Sequence, residues 1–246
     1  MKVSIITPCF NSAKTIEATI KSVQSQTYSN VEHLIIDGGS TDGTIEVVNF
    51  YKRFNAFFIS ESDKGIYDAI NKGIKLATGD IIGILNSDDR FYSSRSLEII
   101  VEAFACNLDI DCVYGNLIFV DHKQKLKRKW LSRSFSRGLF EKSWTPAHPT
   151  FYCRKNVYST IGFYKINYKI AADVELMYRV LELYRFRSFF VNEYLVEMRL
   201  GGVSTSSFRS TVLITKEIRK AFKENNQKLN LLKYLFFKVL KIKEYL

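Results

Sequence analysis

The chain has 246 residues, enough to bury roughly 70% of its unfolded surface around a core. With 46% hydrophobic, 25% charged and 14% aromatic residues against 12 Gly and 3 Pro, disordered, collagenous and low-complexity classes are excluded. The net charge of +11 is concentrated in residues 121–142 and 209–246, at +6 and +7, so the remainder sums to −2 and lacks the basic main-fold footprint of a nucleic-acid binder. Cys9, Cys106, Cys112 and Cys153 form no C-x-x-C pair and have no His at zinc-ligand spacing; they read as reduced, mostly buried thiols of a cytosolic protein. No signal-peptide core opens the chain, and no run approaches the roughly 20 apolar residues of a membrane span.

Val3 to Thr7 reads as a buried strand, followed by a helix capped by Asn11 or Ser12 with Ile16, Ile20 and Val23 on one face. Leu34 to Ile36 is the second strand, and Thr41 or Asp42 caps a helix carrying Ile45 and Val48. A third strand spans Ala56 to Ile59, and a helix from about Ile66 to Ala77 stops at Gly79. The fourth strand is Ile81 to Leu85; Ser94 then caps a helix with Leu97, Ile100, Val101 and Phe104, leading into Cys112 to Tyr114. Continuous apolar strands alternating with helices predict an α/β fold with a mostly parallel sheet covered on both faces.

Such sheets bind ligands beyond the carboxyl ends of their strands. Here those ends are polar and acidic: Thr7-Pro8, then Asp37-Gly38-Gly39-Ser40, then Glu61-Ser62-Asp63, then Asn86-Ser87-Asp88-Asp89. Any one of these could simply cap the next helix, but four in a row point to a site. Carboxylates converging on one cleft repel unless a cation sits among them, and Mg²⁺ or Mn²⁺ with a diphosphate ligand suits oxygen donors. Neither G-x-x-x-x-G-K-[ST] nor G-x-G-x-x-G after strand one is present, which removes support for NTPases and dinucleotide dehydrogenases.

The segments Val3 to Asn11, Ile36 to Thr44 and Asn86 to Asp89 resemble the family 2 glycosyltransferases of the GT-A fold. Glu61 to Gly73 is similar to a branch that builds bacterial O-antigen, lipopolysaccharide and other surface polysaccharides. The resemblance covers about residues 3 to 205 and implies a nucleotide-sugar-binding Rossmann-like half at 1–115, an acceptor-binding and catalytic half at 116–206, and a helical extension at 207–246. It implies that Thr7, Pro8, Asn11 and Gly39 line the nucleotide pocket, that Asp37 hydrogen-bonds the base, typically uracil, and that Asp63 approaches the nucleotide. Asn86-Ser87-Asp88 matches the Asp-x-Asp motif with Asn86 at the first place, so the metal falls chiefly to Asp88, Asn86 and Ser87 face the nucleotide, and Asp89 stays open.

An inverting sugar transfer needs a base for the acceptor hydroxyl and a cation for the departing diphosphate. Ala171 to Leu176 resembles the base motif at a helix start, which makes Asp173 the base and Glu175 the fallback. The alternative account of Asp173, given less weight, is a first-turn carboxylate favoured by the helix dipole. His148, in Pro146 to Thr150 before a strand, matches a His of the same branch that touches acceptor or diphosphate; a structural His in a turn fits equally. Gly201 and Gly202 resemble a loop closing over donor phosphates. The Gln-x-x-Arg-Trp signature of processive members is absent, so one sugar is moved per encounter.

The resemblance further implies a glycan or polyprenyl-diphosphate-linked acceptor at the cytoplasmic membrane face, with peripheral contact through the C-terminal segment. There Leu231, Leu232, Leu235, Phe236 and Val239 mix with Lys233, Lys238, Lys241 and Lys243, and the lysines share no single face. Two rival readings stand beside the transferase: a non-enzymatic binder of nucleic acid or acidic polymer, which leaves the acidic strand ends unexplained, and a sugar nucleotidyltransferase, which lacks its Gly-rich triphosphate loop. No specific nucleic acid is expected.

Overall fold

A computed structural model describes residues 1–51, 56–201 and 208–242. Four parallel strands form one side of the sheet in the order β3 (Ala56–Ser60), β2 (Val31–Asp37), β1 (Val3–Cys9), β4 (Ile81–Ile84). β1, β2 and β4 are the predicted apolar runs, buried almost throughout, as parallel strands covered on both faces require. Beyond β4 the sheet becomes mixed: β8 (Tyr152–Arg154) is antiparallel to β4 and to β6 (Cys112–Val120). β6 runs parallel to β9 (Ser188–Arg199), while β7 (Leu126–Trp130) and the short β5 (Arg90–Phe91) pair antiparallel with β6 and β9.

Alternation along β1 sends Ile6 into the core beneath α3 (Ile66–Leu76) and Val3 and Ile5 into the core on the other face, beneath α4 (Ser96–Cys106). α3 turns Tyr67, Ile70 and Ile74 inward, and Gly73 lets it lie against β1: a Cβ there would stand 2.4 Å from Ile6 Cγ2. The first core also holds α5 (Lys155–Ile161), α6 (Ala172–Tyr178) and α7 (Phe208–Glu224), with α8 (Leu231–Ile242) beyond them. α1 (Ile16–Gln24) packs with α2 (Thr44–Tyr51) against β1 and β2 in a third cluster.

Several local expectations are corrected. α1 has Thr15 as its N-cap and no side-chain cap, because Ser12 contributes its carbonyl, accepting the N–H groups of Thr15 and Ile16, rather than its hydroxyl. Likewise Ser94 does not cap α4, whose N-cap is Arg95 with no side-chain cap; the Arg95 N–H donates instead to the Ser93 hydroxyl. Gly79 does not cap α3, which ends at Ala77; it is a close-packing position, where a Cβ would meet Ser4 Oγ at 2.5 Å. Asp42 does serve α2, its carboxylate accepting the Thr44 N–H at 3.1 Å. Cys9, Cys112 and Cys153 are buried free thiols, but Cys106 is exposed.

Candidate active site

The strand order reverses at β1, which has β2 on one side and β4 on the other, so the crevice opens above β1 and β4. Ser12 and Ser87 meet across it, Oγ to Oγ at 2.8 Å. Asn11 turns the chain out of β1 with φ 49°; its Oδ1 accepts the Thr41 N–H at 3.0 Å and its N–H donates to Ser40 Oγ at 2.7 Å. The β1 and β2 loops are thereby joined. Thr7 and Pro8 are fully inside the sheet, and the Thr7 hydroxyl bonds His33 Nε2 at 2.8 Å. Burial holds the His33 ring down to about 4, so it is neutral at physiological pH. Thr7 and Pro8 thus lie within β1 at the floor of the crevice.

Asp37 is also turned inward, with 1% of its surface exposed. Its Oδ2 accepts from Gly39 N (3.1 Å), Ser40 N (2.9 Å) and Ser60 Oγ (2.7 Å), and its Oδ1 accepts from the Ser40 hydroxyl and lies 3.6 Å from Cys9 Sγ. Burial pushes this carboxyl up, but the donors from Ser40, Ser60 and Gly39 outweigh it and hold the group below the ordinary carboxylate range. These acceptors shape the Gly39 turn, where φ is 87°. Asp63 stands in front. Its Oδ1 accepts the Gly65 N–H at 2.7 Å, and its Oδ2 lies 2.6 Å from where a Cβ on Gly38 would be.

The turn after β4 is pinned from two sides. Asp89 is fully buried; it accepts from Asn86 Nδ2 at 3.0 Å and from the Arg199 backbone N–H of β9 at 3.3 Å, and burial, helped by the Asp88 charge, pushes its carboxyl well up. Asp88 is left half-buried at the crevice, its carboxyl raised by desolvation, with Arg199 and His148 near enough to offset part of the penalty. Among the described residues no three His, Cys, Asp or Glu side chains converge as a metal cluster. A single partly desolvated carboxylate does fit a cation that takes its remaining ligands from diphosphate and water.

His148 Nδ1 lies 3.3 Å from Asp173 Oδ2. Asp173 sits in the first turn of α6, as expected, and its Oδ1 is a buried oxygen without a hydrogen-bond partner. Burial raises this carboxyl above its ordinary value, an effect that His148 only partly offsets. A desolvated carboxylate with one unused acceptor is what a general base for a hydroxyl requires. Glu175, the fallback base, is 0% exposed and engaged by Arg179, Lys165 (2.9 Å) and Asn225, so it holds α6 to its neighbours. Gly201 follows β9 with φ 113°, whereas Gly202 lies outside the described residues.

Sequence reasoning missed Glu217. This buried residue of α7 accepts the backbone N–H groups of Lys169 (2.7 Å), Ile170 (3.0 Å) and Ala171 (2.9 Å), fixing the approach to α6 two residues before Asp173. In the sequence it is one acid in a basic amphipathic helix, with no motif to mark it. Glu217→Gln should lose about 2 kcal/mol of charge-assisted bonding and about 4–8 °C in Tm, and lower kcat more than it raises donor Kd; an unchanged kcat in the folded variant would remove it as a positioning residue.

A family model for "Glycosyl transferase family 2" matches residues 4–164. The chain belongs to glycosyl transferase family 2. A Mycobacterium bovis relative, a PGL/p-HBAD biosynthesis glycosyltransferase, is 30% identical over 174 residues, covering 69% of this chain and 66% of the relative, just under two thirds of its length. Solved structures with the same fold include a Pyrobaculum calidifontis mannosyltransferase in complex with GDP-Man and Mn²⁺ (TM-score 0.70, 16% identity, 96% of this chain and 68% of that one). Another is S. aureus TarS 1–349 in complex with UDP-GlcNAc (TM-score 0.67, 17% identity, 90% and 66%). This family 2 glycosyltransferase therefore has the GT-A fold expected from its motifs, and it places Asp88, His148 and Asp173 around one crevice.

Proposed function

We propose that the protein catalyses inverting, metal-dependent transfer of a sugar from a nucleotide-diphosphate donor, first of all a UDP-sugar, to a hydroxyl of a glycan or lipid-linked glycan in surface-polysaccharide assembly. The observation that carries this is the orphaned Oδ1 of Asp173, buried beside His148 and across the crevice from Asp88. Asp173 takes the acceptor proton, and His148 orients that carboxylate through Nδ1. Mg²⁺ or Mn²⁺ bound at Asp88 would neutralise the departing diphosphate. Arg199, on the strand that pins the Asp88 turn, adds positive charge there. Asp63 takes the base-reading role, with Asn86, Ser87 and the Asn11 and Gly39 turns forming the crevice walls. The GDP-Man, UDP-GlcNAc and Mn²⁺ bound in the solved structures of the same fold support a nucleotide sugar and a divalent ion as the ligands. Among the described residues no helix is long and apolar enough to cross a membrane, which is compatible with work at its cytoplasmic face.

The test is thermal stability against UDP, GDP, dTDP and CMP, each with and without Mn²⁺. A ligand at a hundred times its Kd stabilises by about 2.7 kcal/mol, worth about 5–10 °C at this size. One diphosphate should shift Tm only with Mn²⁺, and Asp88→Ala should lose that shift. No shift with any nucleotide would overturn the donor assignment.

A further inference from the structure

α3 begins at the Asp63 loop, where Asp63 accepts the Gly65 N–H in front of the crevice. Two further polar residues of this helix, Tyr67 and Asn71, are buried, lie four positions apart and so share one face. A buried amide or phenol is costly without partners. Asn71 places both ends of its amide on Tyr164, in the loop between α5 and α6. Its Nδ2 donates to the Tyr164 carbonyl at 2.8 Å and its Oδ1 accepts the Tyr164 N–H at 2.9 Å. The Tyr164 ring lies against that of Tyr67, centroids 5.9 Å apart and planes 11° from parallel.

This stack carries the Tyr67 hydroxyl to the start of α6, where its oxygen accepts the Ala172 N–H at 3.3 Å. The contact matters because α6 has Ala171 as its N-cap and no side-chain cap for its leading N–H groups. The backbone entering α6 is held from two other helices instead. Glu217 of α7 takes the N–H groups of Lys169, Ile170 and Ala171, and Tyr67 of α3 takes that of Ala172. The next residue is Asp173. Burial, and after it the Asp173 charge, push the Tyr67 hydroxyl well above the ordinary tyrosine range, so it is a neutral phenol within electrostatic reach of the carboxylate. A phenylalanine would fill the same space and keep the stack; only the hydroxyl reaches α6.

We propose that Tyr67 is a positioning residue for sugar transfer: by holding the Ala172 N–H it sets the direction of the Asp173 carboxylate, and it ties the base to the helix that begins at the Asp63 loop. The proposal rests on the reading of Asp173 as base and adds the residue that aims it. A base must meet the attacking hydroxyl within hydrogen-bond reach, and a drift of about 1 Å costs about a hundredfold in rate.

Tyr67→Phe removes the hydroxyl alone. Turnover is read as Mn²⁺-dependent release of nucleoside diphosphate from UDP-GlcNAc and GDP-mannose, with water in place of the acceptor. The variant should lower kcat about tenfold with donor KM unchanged, and hydrogen exchange of the Ala172 amide should quicken about tenfold. In the Asp173→Asn background the same substitution should change kcat less than about twofold, because no carboxylate is left to aim. Unchanged exchange at Ala172 would remove the contact. An unchanged kcat, or a tenfold loss that persists beside Asp173→Asn, would overturn the positioning role even where the exchange quickens. Wild-type turnover by Asp173→Asn alone would overturn the base reading and the positioning role with it, while exchange at Ala172 still reports the contact by itself.

Discussion

Asp173→Asn is expected to cut kcat by about a thousandfold while leaving donor Kd unchanged. The amide preserves shape and the contact with His148 but cannot accept a proton. Because burial raises the wild-type carboxyl, the acidic limb of the pH–rate profile should fall above the ordinary Asp value of 3.8. The sign for stability is opposite to that for activity. A carboxyl whose folded pKa exceeds its unfolded one takes up protons on folding, so its ionised form destabilises the fold once pH rises past both values. Asp173→Asn should therefore melt higher than wild type at pH 7, and the difference should vanish below about pH 3.8. Transfer at the wild-type rate by the folded variant would remove Asp173 as base.

The parallel half of the fold was legible because its strands are buried on both faces and read as unbroken apolar runs, as Val3 to Thr7 and Ile81 to Leu85 do. β6, β8 and β9 escaped full definition because antiparallel partners from distant parts of the chain decide where they pair; Tyr152–Arg154 is a strand only by lying between β4 and β6. At the site, Asp88 and Asp173 were marked by motif position alone. Side-chain direction was not legible. Thr7 and Asp37 occupy the expected strand ends, but hydrogen bonds to His33, Ser40 and Ser60 turn them inward, and a one-dimensional pattern does not contain those partners. Glu217 was hidden for the same reason, since the N–H groups it holds are some 47 residues away in sequence.

Gly38→Asp should weaken UDP binding about a hundredfold, and the loss should be largely reversed by adding Asp63→Ala. The Gly38 backbone is not in the left-handed region, so a side chain there is limited by space rather than by φ. Its Cβ would press Asp63 Oδ2 at 2.6 Å and set two carboxylates against each other. Asp63→Ala alone should also lose affinity, while the double variant returns one carboxylate to nearly the same place from β2. That pattern is a strong negative coupling in a double-mutant cycle. A carboxylate accepts only, so it favours bases with an N–H on the pairing edge, uracil and guanine, over cytosine, whose ring nitrogen there is itself an acceptor. Asp37→Asn should behave differently: it exchanges one well-used acceptor oxygen for an amino group, costs about 2 kcal/mol and about 4–8 °C, and leaves nucleotide affinity intact in the folded protein. The wild-type Asp37 contribution is present above the unfolded value of 3.8 and is lost as pH falls through the lower folded value. Unchanged UDP affinity in Asp63→Ala, or loss of affinity without loss of Tm in Asp37→Asn, would return the base-reading role to β2.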